Sequence, residues 1–125
     1  MTNDRRLWAV RGATRARSND PNRVIEATQE LMRELMGRNG IEPDEMVSCI
    51  FTSTHDLNAE FPAAAARQIG LESVPLLCAQ EIDVPGSMRS VIRVLVHYYG
   101  AADRSPTHTY IGEAQDLRSD LKAAQ

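Results

Sequence analysis

The sequence predicts an α+β fold in which two helices pack on one face of a single mixed β-sheet. Short apolar runs, several of them rich in β-branched or aromatic residues, recur along the chain and are typical of strands. Two stretches with helix start and stop signals lie between the first three of these runs. The resulting order, βαβαβββ, leaves the second sheet face without cover, and oligomerisation is the simplest source of that cover.

Composition indicates one globular domain across residues 1–125. The chain is 42% hydrophobic and 25% charged, which is an ordinary balance for a folded domain of this length. A net charge of −3 argues against a nucleic-acid partner, because such surfaces are usually basic. The apolar run near the N-terminus, Leu7 to Val10, is too short for a signal-peptide core or a membrane span. We therefore expect a cytoplasmic protein with neither a nucleic-acid nor a membrane partner.

The first half of the chain contains the longest predicted helix. Leu7 to Gly12 is a short apolar run that a glycine closes, so it is predicted to be a strand with Arg11 at its end. The helix then begins at Asp20, which can cap it, with Pro21 in its first turn. Apolar residues recur at helical spacing until the helix ends near Asn39-Gly40.

Three further elements follow in the middle of the chain. Met46 to Thr54 is rich in β-branched residues and predicts the second strand. Pro62 opens an alanine-rich stretch that Gly70 stops, which predicts a short helix. Val74 to Ala79 predicts the third strand.

The segment Ser87 to Tyr99 fits both a helical face and a strand. We predict a strand because residues 91–99 are almost all β-branched or aromatic and Gly100 follows them. A last strand is predicted at Thr107 to Ile111. Residues 112–125 form a polar tail whose mobility the sequence leaves open.

Two arginines lie where predicted strands would present them. Arg93 stands between Ile92 and Val94, and its guanidinium is costly to bury unless it meets an anion, since it cannot lose its charge. That anion could be an internal carboxylate, such as Glu81 or Asp83, or a bound ligand. Arg11, taken alone, is better explained as a solvated strand end.

Motifs for other kinds of chemistry are missing from the sequence. Cys49 and Cys78 form no CxxC or Cys/His pattern, and no histidine lies near Cys78 in the sequence to activate its thiol. The three histidines lack metal-ligand spacing, and no glycine-rich phosphate motif is present. We expect no disulfide, no metal and no cofactor.

Several segments share their order and spacing with a known family. They are Arg11-Gly12-Ala13-Thr14, Phe61-Pro62-Ala63 followed by Arg67, Val74-Pro75, Cys78 to Val84, Ile92-Arg93-Val94, Tyr110, and Leu117 to Leu121. Together they resemble the AroH-class chorismate mutases from end to end of the chain. The resemblance implies a homotrimer with active sites between neighbouring subunits. It also implies a cofactor-free rearrangement of chorismate to prephenate in the biosynthesis of phenylalanine and tyrosine.

The resemblance also assigns roles to residues. It implies that Arg11 and Tyr110 bind a substrate carboxylate, that Arg93 meets the ether oxygen, and that Glu81 accepts a hydrogen bond from the ring hydroxyl. Arg93, Glu81 and Arg11 are thus the predicted catalytic residues. The other predicted substrate-binding residues are Leu77, Cys78, Ala79 and Gln80 on a strand, Phe61, Ala63 and Arg67 from an adjacent subunit, and Leu117 and Arg118 in the tail. The sequence departs from the family at Ala64, where a lysine can stand, and this removes one positive charge from the pocket mouth.

Two other functions compete with this prediction. One is an enamine or imine deaminase of a related trimeric fold, which also holds a substrate carboxylate with an arginine. The other is a non-catalytic protein that binds a metabolite in the same anion pocket.

Overall fold

The computed structural model describes residues 4–117, and it contains one mixed five-stranded sheet with two α-helices. The strands are β1 (Arg5–Arg15), β2 (Met46–Ser53), β3 (Leu76–Gln80), β4 (Val91–Ala101) and β5 (Thr109–Tyr110), and the helices are α1 (Pro21–Asn39) and α2 (Pro62–Gln68). Short 3₁₀ turns lie at Pro43–Glu45 and Gly112–Gln115. The predicted α+β class and element order are confirmed, including the strand assigned to the ambiguous segment before Gly100.

Strand lengths differ from the prediction where pairing overrides local composition. β1 extends from Arg5 to Arg15 because it pairs with β4 along its whole length. β5 is only Thr109–Tyr110, shorter than predicted, because these two residues alone pair with β1 in the described chain. β3 begins after Pro75, which has no N–H to donate.

The spatial order of the strands is β3-β2-β4-β1-β5. β4 is antiparallel to both β1 and β2, whereas β3 and β5 run parallel to their neighbours at the two edges. The two longest strands are therefore central and adjacent to each other.

Helix α1 starts and stops where its terminal residues dictate. The Asp20 carboxylate accepts hydrogen bonds from the backbone N–H groups of Asn22 and Arg23, at 3.1 and 3.2 Å. Gly40 ends the helix in the left-handed conformation, at φ 61°. No helix among residues 4–117 is long and apolar enough to cross a membrane.

The hydrophobic core lies between the helices and one face of the sheet. Its fully buried residues from the sheet are Val10, Cys49, Phe51 and Val96, and those from α1 are Leu31, Met32 and Leu35. Gly12 lets α1 approach β1 closely, because a Cβ at this position would be 2.9 Å from the Thr109 carbonyl oxygen and 3.0 Å from Leu35 Cδ1.

The opposite side of the sheet, called the open face here, carries the alternate residues of each strand. Leu7, Leu77 and Tyr99 lie on it with exposed fractions of 49%, 61% and 48%. Large apolar side chains on a monomer surface mark an interaction site when they lie together. The uncovered face expected from the sequence is therefore present in the described chain.

Candidate active site

One row of paired residues crosses all five strands on the open face. It runs from Ala79 on β3 through Thr52, Arg93 and Ala13 to Tyr110 on β5. Residues paired on adjacent strands point to the same side of a sheet, so these side chains form a line. Arg93 stands at the middle of that line.

The Arg93 side chain meets Glu81, which follows β3 directly. Arg93 Nε lies 2.7 Å from Glu81 Oε2, and the side chains are 38% and 17% exposed. This is an ion pair by distance, but the Nε–H does not point at the oxygen and makes no aligned hydrogen bond to any described residue. The internal ion pair that the sequence left open is thus present. Because Arg93 is still more than a third exposed, it can also face a ligand.

Thr52 completes this cluster. Its hydroxyl donates to Glu81 Oε2 at 2.6 Å, the same oxygen that meets Arg93. The backbone N–H of Glu81 donates to the Ser53 carbonyl at 2.9 Å, so the loop after β3 is tied to the end of β2. A carboxylate with two charged or polar partners on one oxygen has a defined orientation.

Arg11 lies in the neighbouring row of the open face. It pairs with Leu95 across β4, two residues from Arg93, and diagonal neighbours of this kind have Cα atoms roughly 7–8 Å apart. The Arg11 backbone N–H donates to His108 Nδ1 at 3.0 Å, which ties β1 to the segment before β5. The Arg11 side chain is partly buried, and no acidic side chain of residues 4–117 pairs with it. The two arginines can therefore reach one small anionic ligand.

Tyr110 closes the row at the β5 edge. It is 6% exposed and packs with Ala13 and Ala114, while the partly buried Leu117 packs against the same cluster. The predicted residues Tyr110 and Leu117 thus lie together at the β5 end of the row. Arg118 lies outside the described residues, as does the rest of the predicted tail after residue 117.

The predicted strand residues after Leu76 divide between the two sheet faces. Leu77 and Ala79 lie on the open face with Arg93, whereas Cys78 points to the other side of the sheet and packs against the core. Cys78, Ala79 and Gln80 also line an open cleft of about 360 Å³ between the ends of β2 and β3 and the start of α2. Phe61 lines the same cleft with an exposed fraction of 67%.

Within one chain, α2 packs on the core side of the sheet, whereas Arg93 lies on the open face. Ala63 is 6% exposed and belongs to the core cluster, and Arg67 is exposed near the end of the helix. No described contact joins Arg67 to Arg93 or Glu81.

Three further residues near the site have no distinguishing signal in the sequence. Thr52 is one of them, because a threonine is an ordinary residue of a strand. His108 and His55 lack metal-ligand spacing, and the sequence gives them no other role. His108 accepts from the backbone of Arg11, and His55 Nδ1 lies 3.1 Å from Asp83 Oδ1 in the loop after Glu81.

A partly buried carboxylate, that of Asp56, supports the start of β4 close to the site. Asp56 Oδ2 accepts from the N–H and the hydroxyl of Ser90 at 2.9 and 3.0 Å, and Ser90 has the unusual φ of 60°. Burial alone would raise the pKa of Asp56, but hydrogen bonds from Thr54 and Ser90 outweigh burial and lower this pKa. The contact fixes the backbone at Ser90, directly before β4 and three residues before Arg93.

The site so described is a pair of arginines and a carboxylate on the exposed face of a small α+β sheet. Guanidinium groups can pair with the carboxylates of a ligand, and the Glu81 carboxylate can accept a hydrogen bond from a hydroxyl group. Within residues 4–117 there is no cluster of three or more histidine, cysteine or acidic residues that could hold a metal. The fold and site together define a protein that binds a small organic anion.

Comparison with known proteins identifies the family. A sequence model of the family described as chorismate mutase type I matches residues 7–121. The chain is 44% identical over 118 residues to "Chorismate mutase AroH" of Thermus thermophilus, covering 93% of this chain and 97% of the relative. It is 32% identical over 117 residues to "Chorismate mutase AroH" of Bacillus subtilis (strain 168), covering 92% of each.

A solved structure agrees with these relatives. A chorismate mutase from Clostridium thermocellum superposes with a TM-score of 0.83 at 43% identity, covering 88% of this chain and 99% of that one. The chain belongs to the chorismate mutase type I family, and the resemblance found in the sequence is confirmed.

Proposed function

We propose that this chain is an isomerase that converts chorismate to prephenate without a cofactor, a step toward phenylalanine and tyrosine. The observation that carries the proposal is the Arg93–Glu81 ion pair at the centre of the open face, with Arg11 on the neighbouring row. The family supports the reaction, and the geometry supports these residues as its site.

The reaction suits a site of this composition. Chorismate carries two carboxylates, and its rearrangement breaks a carbon–oxygen bond and forms a carbon–carbon bond in one pericyclic step. No proton is transferred and no nucleophile attacks, so neither a general base nor an activated thiol is needed. Binding in the reactive geometry and stabilisation of developing charge are the two available sources of catalysis.

Each predicted residue has a role in this scheme. Arg11 and Tyr110 bind a carboxylate and hold the enolpyruvyl arm over the ring. Arg93 faces the ether oxygen, which gains negative charge as its bond to carbon lengthens. Glu81 accepts a hydrogen bond from the ring hydroxyl and fixes the ring. An acceleration of about 10⁶-fold needs about 8 kcal/mol, so orientation and electrostatics must both contribute.

We propose further that the protein is a homotrimer of one domain spanning residues 1–125 and that it acts in the cytoplasm. The exposed side chains of Leu7, Leu77 and Tyr99 support assembly through the open face. The pocket beside Arg93 would then also be lined by Phe61, Ala63 and Arg67 of a neighbouring subunit. In the tail, Leu117 and Arg118 would close this pocket.

The test is a chorismate assay on purified protein. Loss of chorismate absorbance is followed, and the product, which has the same mass as chorismate, is identified by its acid conversion to an aromatic acid. We expect rapid conversion to prephenate by the wild type and a collapse of turnover in Arg93→Ala. Arg23→Ala, which removes an exposed arginine paired with Glu26 on α1, is the matched control and should keep full activity.

Other results would redirect the proposal. A folded trimer that releases ammonia from an imino acid would be a deaminase. A folded trimer that binds chorismate tightly without converting it would be a metabolite-binding protein. Sedimentation equilibrium on the same samples reports the oligomeric state and so separates a failure of assembly from a failure of chemistry.

A further inference from the structure

The orientation of Glu81 depends on a residue outside the set predicted from the sequence. Glu81 lies in the loop that follows β3, and its side chain has several rotatable bonds. Only one of its oxygens, Oε2, takes part in the contacts to Thr52 and Arg93, at 2.6 and 2.7 Å. What holds that oxygen therefore decides where the other one points.

Thr52 is well placed to hold it. The residue is on β2, with β3 and β4 on either side, and it pairs with Ala79 and Arg93 in the row across the open face. A β-branched side chain has few χ1 states, and a strand in the sheet interior moves little, so the hydroxyl has a fixed position. Arg93 alone would be a weaker guide, because its Nε–H is not aligned with the oxygen.

We propose that Thr52 is a positioning residue for the rearrangement. Its hydroxyl donates to Glu81 Oε2 and holds that oxygen beside Arg93. This leaves Oε1 to accept the hydrogen bond from the ring hydroxyl of the substrate. The inference rests on the proposed function, because it assigns Thr52 to the same reaction and acts through Glu81 without touching the substrate.

The arrangement also separates the two tasks of the Arg93 guanidinium. Because Arg93 Nε lies beside the carboxylate oxygen, the terminal nitrogens of Arg93 are the ones left for the ether oxygen. Without the Thr52 hydroxyl, Glu81 could rotate and take a terminal nitrogen of Arg93 for itself. Thr52 therefore protects the electrostatic role of Arg93 as well as the orientation of Glu81.

The test compares Thr52→Val, which keeps the shape but lacks the hydroxyl, with Thr52→Ser, which restores it. We expect Thr52→Val to lower kcat about tenfold or more, since a hydrogen bond to a charged group is lost. KM should change less, because the arginine that binds the substrate carboxylate is untouched. Thr52→Ser should recover most of the activity.

Controls distinguish positioning from a loss of stability. Thr28→Val removes the hydroxyl of a different threonine, which is buried and donates to the Val24 carbonyl inside α1, and it should leave kcat unchanged. The same Thr52→Val change is also made in a Glu81→Gln background. There it should have little further effect, because the residue through which Thr52 acts is already altered.

The outcomes are separable from those of the proposed function. An inactive wild type overturns the function itself. An active wild type with an equally active Thr52→Val variant overturns only the positioning role. Equal losses from Thr52→Val in both backgrounds would show a purely structural effect and would also overturn the positioning role. A loss that occurs only in the background that retains Glu81 supports the positioning role.

Discussion

Arg93 Nε lies 2.7 Å from Glu81 Oε2, yet its N–H is not aligned for a hydrogen bond to that oxygen. The pair sits at the centre of a sheet face that the described chain leaves open. An arginine held by a carboxylate but still exposed keeps its charge in place before substrate arrives, which is the preorganisation that electrostatic catalysis needs.

The first prediction concerns the shape of the cation at position 93. Arg93→Lys keeps the charge but removes the planar fork, so the ammonium cannot meet Glu81 and the ether oxygen together. We expect kcat to fall by about 10²-fold or more, as for loss of one transition-state donor. Steady-state kinetics on chorismate measure it, with Arg23→Lys as the surface control. Near-full turnover by Arg93→Lys would contradict the assignment of Arg93 to the ether oxygen.

A second prediction addresses the role of Glu81. If it is a hydrogen-bond acceptor in a reaction that moves no proton, the rate in D₂O should equal the rate in H₂O. Glu81→Gln should lower kcat, because the charged acceptor beside Arg93 becomes neutral. A solvent isotope effect well above unity would count against the pericyclic mechanism, because no proton moves in it.

Stability should depend on the small size of residue 12. A Cβ at Gly12 would lie 2.9 Å from the Thr109 carbonyl and 3.0 Å from Leu31 Cδ1, so Gly12→Ala must push α1 or β5 away from β1. We expect a loss of about 1–3 kcal/mol in the free energy of unfolding, the usual cost of overpacking a core. Urea denaturation measures it. Gly37→Ala, where no atom would lie within 4 Å of the added Cβ, should not destabilise the protein.

The fourth prediction is a pH dependence that arises from Asp56. Hydrogen bonds from Thr54 and Ser90 outweigh burial and hold the pKa of Asp56 below its ordinary value of 3.8. A group whose folded-state pKa is lowered stabilises the protein above its unfolded pKa, and the benefit is lost as pH falls through the folded value.

Asp56→Asn should therefore be less stable than the wild type at pH 7, by about 1 kcal/mol for weakened contacts to a charged group. The difference should shrink as the pH falls below the ordinary pKa of 3.8 and through the lowered folded-state pKa of Asp56. Thermal unfolding at pH 7 and pH 3 measures both values. A gap that stays constant between the two pH values would show that Asp56 acts through packing and not through its charge.

Most of the secondary structure could be predicted from the sequence, since it depends on local chemistry. Asp20 and Gly40 bound α1 because a carboxylate can cap helical N–H groups and glycine accepts the left-handed conformation. The β-branched run before Gly100 predicted β4 for the same kind of reason. The ends of β1 and β5 could not be predicted, because they depend on which residues of distant strands find partners.

The candidate site was predicted less completely than the fold. Arg11 and Arg93 stand out from their strand positions and Glu81 as a possible partner of Arg93, whereas Tyr110 and the roles of all four come from the resemblance and stay predictions. Thr52 was missed, because nothing near it in the sequence indicates a carboxylate partner that is 29 residues away.

The sequence by itself determined the family, the α+β class and the types of residue available for binding an anion, because these follow from residue identity and local spacing. Only the tertiary structure decided that Thr52 and Arg93 lie side by side and share one oxygen of Glu81. The register of two strands depends on side-chain packing over the whole sheet, and local propensity carries no information about a partner some 40 residues distant. The order β3-β2-β4-β1-β5 therefore brings Thr52, Arg93 and Tyr110, which are far apart in the sequence, into one row.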